Sequence, residues 1–344
     1  MLKKIIPLLL CLCLALGTGC SKKNEALSVD QGSEPAPVPE VVEPVIVNPL
    51  TGLNDITAEE AANRPVAIMV NNISVAQPVQ TGLNDADVIY ETEVEGGITR
   101  LMAVYQDIGN VDKIGSIRSS RYVYIDLAMG HNAVYVYHGV DKNYAKPHLA
   151  DTDSFLLDTN TGGARIPNGL ALEHTLFAYG SKVWNKIKSS NRKLENKNTA
   201  TWLDFADKDE PVSYTNTATS VSVPFSTGYK TTFKYDAATG RYSRYFNGTL
   251  RKDYNTGEAV TVKNVFVLNA DMSHYPIKKY RKINLQSGTG YYFVNGTYTP
   301  ITWSKGASSN PIVIKNTDGT TLTVNPGNSW VCIADKINSK PIME

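Results

Sequence analysis

Three glutamates at alternate positions are the side chains of this sequence best placed for acid–base chemistry. Glu91, Glu93 and Glu95 fall in a predicted strand, in which alternate residues lie on one face. Paired carboxylates can act as general acid and base on a glycosidic bond, and alternate residues of a strand lie about 7 Å apart. The three glutamates are therefore candidate catalytic residues, and the sequence commits none of them to that role.

A double glycine follows the glutamates and predicts a hairpin. Gly96-Gly97 separates the predicted strand 87–95 from a second one at 98–107. A two-residue turn would set Glu93 opposite Arg100 and would gather the three carboxylates and this guanidinium on one outward face. Because like charges repel, such a row needs further cations.

Arg118 and Arg121 are the candidate cations. They flank Ser119-Ser120, where a strand is expected to change into a helix. The free N–H groups at the start of a helix can bind an anion, and serine is a favourable N-cap residue there. One interpretation is a structural ion network, and the other is a polar cleft for a ligand with carboxylate, phosphate or sugar hydroxyls. The predicted ligand-binding residues are Glu93, Arg100, Arg118, Ser119, Arg121 and His138.

The elements that position these residues fall in two regions that differ in amino-acid composition and in predicted secondary structure. Region 48–195 mixes strand and helix patterns, region 205–337 is rich in Thr, Tyr and Val, and the basic stretch 189–198 is the predicted boundary. We expect an α+β protein, with an N-terminal mixed α/β domain followed by a mostly antiparallel β C-terminal domain. The predicted strands are 66–70, 87–95, 98–107, 133–137, 231–235, 242–246, 262–268, 291–295, 301–303, 312–315, 321–324 and 330–333, and the predicted helices are 122–129 and 175–189.

The first residues predict export. Lys3-Lys4 precedes an apolar run at 5–16, which is too short to span a bilayer, and small residues lead to Cys20. The pattern resembles the lipobox of bacterial lipoproteins, in which the cysteine is diacylated, although Gly17 stands where the lipobox prefers Leu. We expect a signal peptide at 1–19, lipid attachment at Cys20 and a disordered tether at 20–47, with a plain secretory peptide as the alternative.

Composition and missing motifs exclude several classes of function. The formal net charge is +1, which argues against binding of nucleic acid by a broad basic surface. The sequence contains no P-loop, Rossmann glycine pattern, nucleophile elbow or His-Glu-x-x-His motif, and we expect no metal and no cofactor. Cys332 lies in an apolar run and is predicted to be a small buried side chain.

Several stretches of the chain resemble the YerB-like lipoproteins of Gram-positive bacteria. They are 48–53, 64–72 (Arg-Pro-Val-Ala-Ile-Met-Val-Asn-Asn), 85–91, 94–100 and 114–121 (Ile-Gly-Ser-Ile-Arg-Ser-Ser-Arg). The resemblance extends from the lipid anchor into the C-terminal β region. It implies an N-terminal and a C-terminal family domain and supplies no activity, substrate or catalytic residue, because the conserved domain of that family has no assigned function.

Two hypotheses follow for the function. The first is a lipoprotein on the outer face of the cytoplasmic membrane that binds or scaffolds peptidoglycan, another wall polymer or a wall-synthesis protein. The second is an enzyme that acts on a phosphorylated or glycosidic wall precursor, with Glu91, Glu93 or Glu95 as acid or base and the arginines holding the anion.

Overall fold

A computed structural model describes residues 45–196, 201–207 and 210–344 of the chain. The predicted signal peptide, the predicted lipid attachment at Cys20 and most of the predicted tether lie outside the described residues. Residues Val45–Glu344 form one compact unit. Within the described ranges, no helix combines the length and the apolar character that a membrane crossing requires.

The elements of residues 45–196 alternate short helices with strands. They are α1 (Ala58–Ala62), β1 (Val66–Asn71), β2 (Val88–Glu93), β3 (Thr99–Tyr105), β4 (Ile114–Gly115), α2 (Tyr122–Gly130), β5 (Val134–Tyr137), α3 (Ala145–His148), β6 (Ser154–Leu156), β7 (Gly163–Arg165), β8 (Leu176–Ala178) and α4 (Gly180–Lys188). Short 3₁₀ turns cover Ser74–Val79, Glu95–Gly97, Leu149–Asp151 and Leu172–His174.

Beyond residue 200, the described elements are strands. They are β9 (Asp204–Phe205), β10 (Asn216–Thr217), β11 (Ser220–Ser226), β12 (Tyr229–Asp236), β13 (Arg241–Phe246), β14 (Thr249–Leu250), β15 (Thr261–Val262), β16 (Asn264–Ala270), β17 (Met272–His274), β18 (Arg281–Ile283), β19 (Ser287–Val294), β20 (Thr297–Ser304), β21 (Val313–Asn316), β22 (Thr323–Val324), β23 (Ser329–Asp335) and β24 (Ile342–Met343).

One mixed sheet of eleven strands organises the fold. Its order is β10-β20-β19-β16-β23-β2-β3-β1-β5-β6, and β21 pairs with β20. Strand β23 of the C-terminal region runs parallel to both β16 and β2, so it joins the two regions through backbone hydrogen bonds. The division into two domains, 48–195 and 205–337, therefore stays a prediction. The large sheet contains strands from both regions.

Seven strands of this sheet point in the same direction. Pairing directions give β1, β2, β5, β6, β16, β20 and β23 one orientation, with β3, β19, β10 and β21 opposed. The seven strands end at the same edge of the sheet, which we call the carboxyl edge. Polar side chains in the loops that follow these strands therefore lie at this carboxyl edge.

Each face of the large sheet is covered by a hydrophobic layer. On one face, Ile68 and Val267 belong to a buried cluster with Phe233 of a second sheet, whose order is β14-β13-β12-β11-β24 with β15 on β13. On the other face, Met69 clusters with Tyr124 of α2. Cys332 is fully buried in β23, which confirms its predicted role as a small core side chain.

Each predicted strand overlaps an observed one, but β11 and a number of short strands were not predicted. Three further differences concern strand direction, helix length and hairpin register. The C-terminal region is mostly antiparallel, as predicted, but strand β23 runs parallel to both of its neighbours, β16 and β2. The helix predicted at 175–189 is shorter, because Leu176–Ala178 forms strand β8 and α4 begins at Gly180. A Cβ atom at Gly180 would lie 2.1 Å from the carbonyl oxygen of Ile108, so the chain passes too close for a larger residue there.

The third difference is the register of the predicted hairpin. The turn contains three residues, Glu95-Gly96-Gly97, and the Val94 N–H donates to the Ile98 carbonyl at 2.8 Å. Both glycines have a φ near +70°, which glycine tolerates without steric cost. The longer turn pairs Thr92 with Arg100 instead of Glu93 with Arg100. The shift of one residue moves Arg100 to the opposite face from Glu91 and Glu93. These two glutamates still share a face of β2, but that face is buried and Glu95 lies in the turn, so the predicted row of three outward glutamates is wrong.

Glu91 lies in the core instead of on the surface. Its side chain is 0% exposed, and it accepts hydrogen bonds from Asn72 Nδ2 (3.0 Å), Thr99 Oγ1 (2.9 Å), Thr231 Oγ1 (2.9 Å) and Trp330 Nε1 (3.1 Å). Thr231 belongs to the second sheet, so its hydrogen bond to Glu91 links the two sheets. Burial raises the pKa of Glu91, and the charge of Arg244 together with the hydrogen bonds from Thr99, Thr231 and Trp330 opposes that shift.

A buried arginine completes this network from the second sheet. Arg244 is 0% exposed, donates to Gln80 Oε1 at 3.2 Å and Asn72 Oδ1 at 3.1 Å, and lies 4.7 Å from the centre of the Trp330 ring. Burial lowers the pKa of Arg244 to about 10, and the charge of Glu91 opposes that shift. Asn72 connects the two charged groups, because its Nδ2 donates to Glu91 while its Oδ1 accepts from Arg244.

Replacement of Glu91 by glutamine should destabilise the fold strongly. The new amide group would place a donor against the Thr231, Asn72 or Trp330 donors and would leave the buried charge of Arg244 without compensation. We expect the free energy of unfolding to fall by about 3 kcal/mol, measured by urea denaturation. Thr99→Ser keeps its hydroxyl and is the control, with an expected loss below about 1 kcal/mol. Equal stability of Glu91→Gln and the wild type would contradict this account.

Candidate functional site

Glu95 is the centre of the ion cluster at the carboxyl edge. Its position in the three-residue turn brings it to two arginines of other segments. Arg121 Nε donates to Glu95 Oε2 at 2.7 Å, and a second contact joins Arg121 Nη2 to Glu95 Oε1. Arg100 Nη2 lies 3.3 Å from the same oxygen, Oε1. Of the predicted row of three glutamates, Glu95 alone contacts both Arg100 and Arg121, and it lies in the turn instead of in the strand.

The charges of this cluster are unequal, because two guanidinium groups share one carboxylate. Burial, together with the nearby charge of Arg121, lowers the pKa of Arg100 to about 9. Burial alone would raise the pKa of Glu95, but the hydrogen bond from Arg121 and the charges of both arginines hold it below the usual value. Arg100 also donates through Nη1 to the Ser119 carbonyl at 2.5 Å, which fixes it against the turn before α2.

Glu93 has a different partner, which the sequence did not indicate. Its carboxylate forms an ion pair with Arg281 of β18, and Arg281 lies 3.7 Å from Asp335 at the end of β23. Glu93 is 7% exposed. This pair joins the ends of β2 and β23 to the hairpin formed by β17 and β18.

The other predicted ligand-binding residues serve separate local contacts. Arg118 pairs with Glu173 at 3.0 Å, and His138 Nδ1 donates to the Leu157 carbonyl at 2.7 Å, which leaves Nε2 to accept from Arg165 at 3.1 Å. Helix α2 has Arg121 as its N-cap residue without a side-chain cap, so the predicted serine cap is wrong. The six residues therefore belong to four local sets of contacts and do not form one cleft; the sets are those of Glu93, of Arg100 with Ser119 and Arg121, of Arg118, and of His138.

These contacts remove the basis for acid–base catalysis by the three glutamates. Glu91 is sealed between two sheets, while Glu93 and Glu95 are each engaged by arginines. An open cleft with two accessible carboxylates, which glycoside chemistry requires, is not formed by these three residues. In the described ranges, no group of three or more His, Cys, Asp or Glu residues is arranged to hold a metal ion.

Beside the ion cluster lies a surface groove lined by tyrosines. A cavity of about 730 Å³ is bounded by Tyr122 and Tyr275 together with polar groups that include Asp126, Ser273 and Gln286. A much smaller pocket continues from it between the two Arg–Glu pairs. We call the two together the tyrosine groove; the tyrosines that line them are Tyr122, Tyr144, Tyr275 and Tyr280.

The tyrosines of this groove are ordered by stacking. The rings of Tyr144 and Tyr275 are stacked with centroids 3.9 Å apart, and Tyr122 meets the edge of Tyr275 at 6.3 Å. The guanidinium of Arg121 lies 5.3 Å from the centre of the Tyr280 ring, so the groove and the Glu95 cluster share this arginine. Each of the four side chains is only partly buried, which leaves ring surface available to a ligand.

The groove lies at the carboxyl edge because of the directions of the strands. Asp271 follows β16, residues 306–308 follow β20, and Gln286 precedes the opposed strand β19. Ligands of open α/β sheets bind at the corresponding edge, where loops that follow parallel strands converge. The mixed sheet of this protein places polar loops and α2 around one groove in the same manner.

A sequence signal for this groove exists in the stretch 275–282. It reads Tyr-Pro-Ile-Lys-Lys-Tyr-Arg-Lys, in which two tyrosines alternate with a run of cations. Tyrosine is common in strands, so its abundance in the C-terminal region does not distinguish a site from a sheet. The stretch does not indicate that Tyr122 and Tyr144 lie beside it in the fold, because both are more than a hundred residues away along the chain.

Glu95→Gln should destabilise the protein in a pH-dependent way. The substitution removes the charge that compensates two largely buried arginines, and we expect a loss of about 2 kcal/mol in the free energy of unfolding near neutral pH. Since the folded-state pKa of Glu95 is depressed, its stabilisation is present above the unfolded pKa and disappears as pH falls through the folded pKa. The stability difference from wild type should therefore shrink towards about pH 3, measured by urea denaturation across pH.

Glu173→Gln is the matched control for this prediction. Glu173 also pairs with an arginine of the region, but its side chain is 54% exposed. Exposed ion pairs contribute about 0–1 kcal/mol, so the control should change stability little. An equal effect of the two substitutions, or a Glu95→Gln effect that does not vary with pH, would contradict the assigned role of Glu95.

Comparison with known proteins shows the family of the chain. Residues 50–193 match the model described as "Protein of unknown function (DUF3048) N-terminal domain", and residues 221–331 match that of the C-terminal domain. The protein named "Putative lipoprotein YerB" of Bacillus subtilis (strain 168) is 29% identical over 311 residues, covering 86% of this chain and 88% of that protein. These matches confirm the resemblance found in the sequence.

A solved structure agrees with the fold described above. The crystal structure of YerB protein from Bacillus subtilis superimposes with a TM-score of 0.74 at 26% identity, covering 86% of this chain and 99% of that chain. The chain therefore belongs to the DUF3048 family of proteins of unknown function.

Proposed function

We propose that this protein is a cell-envelope lipoprotein whose folded part binds a linear, hydroxyl-rich polymer of the wall in the tyrosine groove. The observation that carries the proposal is the stacked pair Tyr144–Tyr275 at the rim of a groove of about 730 Å³. Aromatic rings with a polar end pack against the apolar faces of sugar-like units while their hydroxyls remain hydrated.

The shape and the lining of the groove suit a chain better than a compact ligand. It extends from Tyr280 beside the Glu95 cluster, past Tyr122 and Tyr275, to Gln286 and the loop 306–308. Side chains with both donor and acceptor capacity, Ser273, Asn284, Gln286 and Ser308, line it. Such groups match hydroxyls of either polarity, and they fix the orientation of a ligand held by apolar contact.

The structure around the groove is preorganised, which lowers the entropic cost of binding. The Tyr144 hydroxyl accepts from the Ile277 N–H at 3.2 Å, and His148 stacks on Tyr122 with centroids 4.5 Å apart. His148 Nε2 also lies 2.7 Å from Asp126 Oδ1. Because these side chains are held before a ligand arrives, less conformational freedom is lost on binding.

The envelope location in this proposal comes from the first residues of the chain. An N-terminal lipid on Cys20 would hold the protein at the outer face of the cytoplasmic membrane, and residues 21–47 would act as a tether. At roughly 3 Å per residue for an extended, proline-rich chain, the tether spans tens of ångströms. That reach suits a binding or scaffold module for peptidoglycan, another wall polymer or a wall-synthesis protein.

Tyr275→Ala should weaken binding to wall polymer. We expect its apparent affinity for purified insoluble wall material to fall about tenfold, since loss of one aromatic anchor costs about 1–2 kcal/mol. The measurement is co-sedimentation of the purified full-length chain with increasing amounts of wall material. Tyr275→Phe keeps the ring and should bind nearly as the wild type does.

Tyr254→Ala is the control for unspecific loss of an exposed tyrosine. Tyr254 is 53% exposed and does not line the groove. Thermal unfolding of each variant verifies that the fold is retained. The proposal is contradicted if wild-type protein does not sediment with wall material, or if Tyr254→Ala and Tyr275→Ala weaken binding equally. Binding to an envelope protein alone would favour the scaffold alternative.

A further inference from the structure

Five lysines lie on the two chain segments that carry the stacked tyrosines Tyr144 and Tyr275, and one of them, Lys282, also lines the groove. Lys142 and Lys146 stand on either side of Tyr144 in the chain, and the hairpin that carries Tyr275 also carries Lys278, Lys279 and Lys282. All five are exposed. The ion pairs found in the described parts of the chain include none of these five lysines.

The nearby carboxylates, in contrast, already have partners. Asp126 contacts His148 at 2.7 Å, and Asp271 pairs with Lys336 at 2.5 Å. Asp141 accepts hydrogen bonds from three backbone N–H groups, those of residues 143, 144 and 145, each at 3.0 Å. Hydrogen bonding leaves Asp126 and Asp141 charged, but the five lysines outnumber these carboxylates, so the net charge at the rim of the groove is positive.

The tip of the hairpin has an unusual backbone. Lys278 and Lys279 have φ angles of 55° and 48°, a region that residues other than glycine rarely occupy. The conformation is held by the hydrogen bond from Tyr275 N–H to the Tyr280 carbonyl at 2.8 Å and by the contact of Ile277 N–H with the Tyr144 hydroxyl. Conformations of this kind cluster at ligand sites, where surrounding contacts compensate the strain.

We infer that the polymer bound in the tyrosine groove carries repeating phosphate groups. The inference rests on the proposed function and adds the class of ligand. Lysine binds phosphate as a compact point charge without fixed geometry, so several lysines along a groove suit a chain of phosphates whose spacing varies. The tyrosines contact the units between the phosphates, and the lysines of the two segments neutralise the charges.

The surface favours a polymer over an anionic membrane as the source of phosphate. Proteins that lie on a bilayer bury an apolar face beside their cations. At the tip of this hairpin the large exposed apolar side chain is Ile277, at 53% exposure, and the adjoining groove is lined by polar groups. A recessed, polar groove accommodates a chain, whereas a flat bilayer would not reach into it.

The test compares a charged and a neutral polymer with the full-length protein. We expect poly(glycerol phosphate) to bind at least about tenfold more tightly than chitohexaose in about 50 mM salt. This advantage should shrink in about 200 mM salt, because the release of each counterion gains less free energy at higher salt. The double variant Lys278→Gln/Lys279→Gln should weaken binding of poly(glycerol phosphate) about tenfold and leave binding of chitohexaose unchanged. Titration calorimetry gives all of these affinities.

Two lysines of α4 provide the matched control. Lys182 and Lys186 are exposed and lie on α4, which carries no residue of the groove lining, whereas Lys278 and Lys279 lie on the hairpin that carries Tyr275. Lys182→Gln/Lys186→Gln therefore removes the same charge and should leave the affinity unchanged. Equal weakening by both double variants would overturn the inference, because it would reflect surface charge in general. Lysine-dependent binding to phosphatidylglycerol vesicles without binding to the polymer would overturn it in favour of a membrane.

The remaining outcomes separate this inference from the proposed function. If chitohexaose is the tighter ligand and its binding depends on Tyr275, the proposed function stands and the phosphate inference fails. If neither polymer binds and wall material does not sediment the protein, both fail.

A variant with glycine at both positions, Lys278→Gly/Lys279→Gly, should relieve the backbone strain and raise thermal stability while it still loses affinity for poly(glycerol phosphate).

Discussion

The three-residue turn Glu95-Gly96-Gly97 is the constraint on which the arrangement of charges depends. Two consecutive residues with positive φ close the hairpin, and glycine supplies both without strain. The resulting register turns Glu91 into the core between the two sheets and leaves Glu95 at the tip of the turn. A turn shorter by one residue would exchange the faces of β2 relative to β3, and the buried carboxylate would lose its donors.

The burial of Glu91 explains how two regions of different sequence share one core. Its donors come from β3, from the end of β1, from β23 and from the second sheet. A buried carboxylate costs a large desolvation energy, which several donors and a nearby guanidinium offset. The parallel strand β23 is what brings Trp330 to this point, so sheet topology and the polar network depend on each other.

Sequence patterns predicted the strands well, because alternation and β-branched residues are local properties. The dipeptide Asn295-Gly296, a strong local signal for a two-residue hairpin turn, forms one: Val294 pairs with Thr297, and both turn residues have positive φ. Local patterns could not show that Glu91 would meet Thr231, which is 140 residues away, or that Glu93 would meet Arg281. The double glycine correctly predicted a turn. The turn contains three residues instead of two, because Glu95 also belongs to it, and the length of the turn sets the register of the hairpin.

The candidate site was predicted only in part for the same reason. Arg100, Arg121 and a turn glutamate are close in the sequence, and they are together in the structure. The tyrosine groove is assembled from α2, from the segment before α3 and from the hairpin of β17 and β18, and each contributes one or two rings. Strand direction, a property of the whole sheet, is what brings these segments to the carboxyl edge.

Hydrogen–deuterium exchange of the full-length protein tests the central claim, that the tyrosine groove holds the polymer, most directly. With poly(glycerol phosphate) bound, amide protection should increase in residues 141–148 and 271–286 and remain unchanged in α4 and in the second sheet. Protection confined to α4, to the second sheet or to the N-terminal residues, with none at the groove, would contradict the account.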